Sequence, residues 1–175
     1  MEITEKLWKE LKENTLSGVL RLLESANILL SNYGDVAICA GLYTYAVEEY
    51  GKLVLLGECL PKNGKVDIDY DLLFGKRKRK THDSKFQAAL NRLPDECKNI
   101  GVDYLGGHFP KGSFPKGWFP DESSVVADFK SRMAIFYCDL DASKKIIRPV
   151  PLVGRKSLKT AIEKLKTIAF DFSVT

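Results

Sequence analysis

The sequence predicts an all-α protein, a four- or five-helix up-and-down bundle carrying one long aromatic loop and a small extended hairpin before its last helix. Three observations predict it. Apolar residues recur at intervals of three and four over most of the chain. The stretch Ala37–Leu60 is apolar almost all round, the pattern of a helix enclosed by other helices. Segments that read as extended are few and short. The length, 175 residues, suits one domain over 1–175 with a single good core. Hydrophobic residues make up 45% and charged residues 29%, ordinary values for a soluble globular protein.

The elements follow in order. Residues 4–31 form an amphipathic helix, with Trp8, Leu11, Thr15, Val19, Leu22, Ala26 and Leu29 on one side and Lys6, Lys9, Glu13 and Arg21 on the other. Asn32, Tyr33 and Gly34 stop it, and Asp35 is placed to cap the next helix. So short a connection makes the first two helices antiparallel neighbours. The second helix, Ala37–Leu60, carries Thr44, Glu48 and Lys52 four apart, a narrow polar stripe on an otherwise buried rod. Burying unpaired charge is costly, so the stripe must face a second polar element, for which Lys76–Lys85 is the candidate.

PKNGKVDIDYD, after Leu60, reads as a turn-rich link. A helix through Phe86, Ala89, Leu90 and Leu93 runs to about Pro94. It either continues from Asp71, against the weakness at Gly75, or starts afresh with Thr81 as its cap. Residues 94–121 are rich in Gly and Pro and hold a small repeat, FPKGS then FPKGW. Phe109, Phe114, Trp118 and Phe119 make this an aromatic loop suited to a lid, a partner contact or base stacking. Glu122–Tyr137 is helical, two short extended pieces flank Asp141–Lys144, and Gly154–Phe170 is the last helix.

Composition also sets expectations about setting. The net charge is only +4. The N-terminal residues are too charged for a signal peptide, and no segment reads as membrane-spanning. Cys39, Cys59, Cys97 and Cys138 are scattered, without a CxxC pair, as in reduced core thiols of a cytoplasmic protein. No residue set calls for a metal or a cofactor.

The strongest local feature is KRKRKTHDSK, residues Lys76–Lys85. Five consecutive cations, Lys76, Arg77, Lys78, Arg79 and Lys80, precede His82, with Lys85 one turn further on. RNA cleavage needs a group that takes the 2′-hydroxyl proton or gives one to the leaving oxygen, and imidazole does both. It also needs a cation on the developing phosphorane charge. His82 suits the first role and either Arg77 or Arg79 the second; on one continuous helix Lys78 and Arg79 lie beside His82 while Arg77 points away. Glu48, Glu49 and Lys52 complete the candidate catalytic set, and Lys76, Lys78, Lys80 and Lys85 the phosphate-binding set. The plainer reading makes the basic run a solvated patch and Glu48–Lys52 an ordinary helix pair.

These residues resemble a known family. LLESANILL (Leu22–Leu30) is followed by YGDVAICAGLYTYAVEEYGK (Tyr33–Lys52), then by His82 and Lys85 in an HxxK pattern, then by Arg132, Tyr137 and Asp139. The chain is similar over nearly its whole length to AbiV abortive infection proteins, within the HEPN superfamily of helical bundles; the loop Pro94–Pro120 matches nothing in that pattern. The resemblance implies an antiphage role and a metal-independent endoribonuclease whose site forms across a homodimer. It would make His82 the acid/base, Arg77 the phosphate ligand, and Glu48, Glu49 and Lys52 the facing polar residues. Some superfamily members instead bind nucleotides or proteins without cleaving RNA, so the alternative is an interaction module that blocks phage growth by binding a phage or host protein.

Overall fold

The computed structural model describes residues 1–34, 36–75, 79–98, 139–140, 146–147 and 154–174. The fold is all-α, as the periodicity predicts. The elements in order are β1 (Glu2–Thr4), α1 (Glu5–Asn32), α2 (Val36–Glu58), β2 (Lys65–Asp67), α3 (Tyr70–Phe74), α4 (Arg79–Arg92), α5 (Asp95–Lys98), β3 (Asp139–Leu140), β4 (Ile146–Ile147) and α6 (Arg155–Val174). The expected Asp35 cap, the aromatic loop beyond Lys98, the helix Glu122–Tyr137 and Cys138 lie outside the described residues.

Local chemistry sets the helix ends. Thr4 caps α1, its hydroxyl accepting from the Leu7 amide. At the other end the Tyr33 and Gly34 amides both reach the Leu29 carbonyl, and Gly34 takes φ +68°, the left-handed geometry that ends a helix. The chain then returns along α1 as α2. The two are antiparallel: near the start of α1, the Trp8 indole N–H donates to the Leu56 carbonyl in the last turn of α2 at 2.8 Å.

The main core joins α1, α2, α4 and α6, with Cys97 added from the short α5. Val19, Leu23, Ala26 and Leu30 of α1 meet Tyr43, Val47, Tyr50 and Leu53 of α2, with Phe86 and Ala89 of α4 and Leu158, Ile162 and Leu165 of α6. Along α6, Arg155 lies at the Ser31 carbonyl and Lys166 pairs with Glu24 at 2.7 Å, so α6 runs against α1. The short helix α5 docks on α6 through Lys164–Glu96 at 2.8 Å, and the hydrogen bond from that lysine holds the Glu96 carboxyl below its ordinary range.

A second, smaller core closes one end. The link read as turn-rich forms a tight reversal at Asn63 and Gly64, both with positive φ, and β2 then pairs antiparallel with β1. Ile3, Trp8, Leu56, Val66, Ile68 and Leu73 pack beneath this ribbon. The short strands β3 and β4 pair antiparallel, which is the small hairpin expected before the last helix. Asp95–Lys98, at the head of the stretch expected to lack regular helix, forms a single helical turn.

One close approach fixes how α4 lies on α2. A Cβ at Gly51 would come within 1.8 Å of the Lys85 carbonyl oxygen, so only glycine permits this crossing. From there the helices run in the same sense, with His82 beside Glu48 and Arg92 beside Glu58. The chain achieves that by returning through β2 and α3 before α4 begins. Gly75 ends α3, and Thr81 lies inside the first turns of α4, buried, with its hydroxyl turned to the Asp71 carbonyl. It does not cap a helix, as the sequence had allowed, because α4 starts at Arg79.

Two outcomes follow from this packing. Gly51→Ala should lower unfolding stability by about 3 kcal/mol through overpacking, whereas Gly18→Ala, with nothing within 4 Å of its Cβ, should raise it by about 0.5–1 kcal/mol through helix propensity; denaturant melts of both variants check this. Cys39 and Cys97 are buried, and burial pushes the Cys97 thiol up. Both should resist thiol labelling until denaturant is added, as peptide mapping would show, while half-buried Cys59 reacts in the native state.

Candidate functional site

The site forms where α4 crosses α2. Position 48 lies three residues before Gly51, and position 82 three before Lys85, so the crossing that joins Gly51 to Lys85 also brings Glu48 to His82. His82 Nδ1 lies 2.5 Å from Glu48 Oε1. Lys85 Nζ lies 3.7 Å from the same oxygen. Glu48 and Lys85 are buried, their side chains 7% and 8% exposed, while the His82 side chain is 22% exposed. A buried carboxylate thus sits between a buried ammonium and an imidazole that reaches the surface.

The arrangement has a definite chemical consequence. A carboxylate on Nδ1 favours the tautomer with a proton there, and fixes the ring plane. Lys85 offsets the cost of burying Glu48 and orients it.

The polar stripe on α2 is therefore three different things. The Thr44 hydroxyl bonds back to the Ala40 carbonyl at 2.8 Å, a local satisfaction. Glu48 faces α4. Lys52 turns to Glu49 at 2.8 Å and lies over the Phe74 ring, its Nζ 5.4 Å from the centroid. Glu49 and Lys52 thus form their own pair, on a side of α2 turned from that of Glu48. Arg79 and Lys80 open α4 in backbone; Lys76, Arg77 and Lys78 lie outside the described residues. Lys85, expected as a phosphate ligand, is placed beneath the surface as the inner partner of Glu48. Among the described residues no group of His, Cys, Asp and Glu is arranged to hold a metal, and no helix is long and apolar enough to cross a membrane.

Two contributors escaped sequence reasoning. Gly51 sets the crossing, and a helical glycine is the signal that marks a close approach. Tyr70 and Phe74 of α3 form an aromatic pair, with ring centroids 5.3 Å apart, and Lys52 lies over the Phe74 ring. Their i,i+4 spacing after the capping Asp69 is the signal for it.

Compared with family models, with curated proteins and with solved structures, the chain matches none.

The shared oxygen makes the three groups interdependent. Glu48→Gln and Lys85→Met should each cost about 3 kcal/mol, the usual loss when one buried partner is removed. The double variant should lose less than the sum by about 1–3 kcal/mol. Additive losses in denaturant melts would mean that the two charges do not interact.

Proposed function

We propose that this helical bundle is a metal-independent endoribonuclease, with His82 as its acid/base and Glu48 as the carboxylate that orients and supports it. More particularly, we propose an AbiV-type HEPN protein that restricts phage growth by cleaving RNA. The observation that carries the reading is the 2.5 Å contact between His82 Nδ1 and a buried carboxylate, on a ring that reaches the surface.

The proposed chemistry is internal transesterification. Nε2 of His82 takes the proton of a ribose 2′-hydroxyl, and the resulting oxygen attacks the adjacent phosphorus. The P–O5′ bond breaks to leave a 2′,3′-cyclic phosphate, and the 5′-oxygen receives a proton from solvent or from a second acid. Cations stabilise the phosphorane charge. In this reading Arg77 or Arg79 takes that role, with Lys76, Lys78 and Lys80 holding the flanking phosphates and a homodimer bringing two sites together. Lys85 acts on Glu48 instead of on the phosphate.

Purified protein should cleave total RNA in the presence of EDTA, leaving cyclic-phosphate ends. His82→Ala should lower the rate by about 100-fold or more, and Glu48→Gln should lower it as well. Protection against phage, scored by plaque counts in an expressing host, should fall with the same substitutions. Protection that survives His82→Ala would reject the nuclease and favour a module that binds a phage or host protein.

A further inference from the structure

We draw no further inference here: the strongest candidate, the open groove beside α1 and α6 where Leu16 and Leu20 lie among Glu13, Arg21, Glu24 and Lys166, carries nothing, because nothing in the structure shows what covers it.

Discussion

The crossing of α4 over α2 at Gly51 is the constraint on which the rest of the site depends. There the Lys85 backbone comes so close that no side chain fits at position 51. Neither the contact between His82 and Glu48 nor the burial of Lys85 would survive a wider separation, because each depends on side chains one turn from the crossing point. A closely packed helix pair holds such groups more firmly than a loop would, since rotamers locked by packing leave little room to drift. The energetic cost is that two charged groups are taken out of water.

That burial has a direction. Glu48 and Lys85 lie inside while His82 reaches the surface, so the imidazole is outermost and its two charged neighbours lie within. The neighbouring pair joins Glu49, the next residue round the helix, to Lys52 one turn on, and Lys52 lies over Phe74 of α3. A single helix thus presents two different polar devices, and which residue belongs to which depends on a rotation of about 100° per residue.

Much of this was legible in the sequence, for reasons tied to particular residues. The 3.6-residue period marks α1 and α6 clearly because each buries a long stripe, and α2 stands out instead as a run that is apolar almost all round. Glu48 reads as needing a partner because a carboxylate on an apolar helix cannot stay unpaired, and the basic run with His82 is the evident source. Lys85 was not legible as a buried group, since nothing in a run of cations says which one turns inward; the register of the crossing decides that. Thr81 looks like a cap by residue type, yet the helix begins two residues earlier. The pairing of β1 with β2 joins residues more than sixty apart in sequence, beyond what local pattern records. The helix α3 is too short to show a period, which is why Tyr70 reads as the end of a link and Phe74 only as part of a longer helix starting at Asp71.

The most direct test of the account is long-range ¹H–¹⁵N NMR of the two imidazoles, His82 and His108, with His82 assigned by substitution. The account predicts that Nδ1 of His82 carries a proton bonded to Glu48, seen as a slowly exchanging downfield resonance that disappears in Glu48→Gln and in Gly51→Ala. A His82 ring whose nitrogens show the averaged tautomers of free imidazole, unaltered by either substitution, would contradict it.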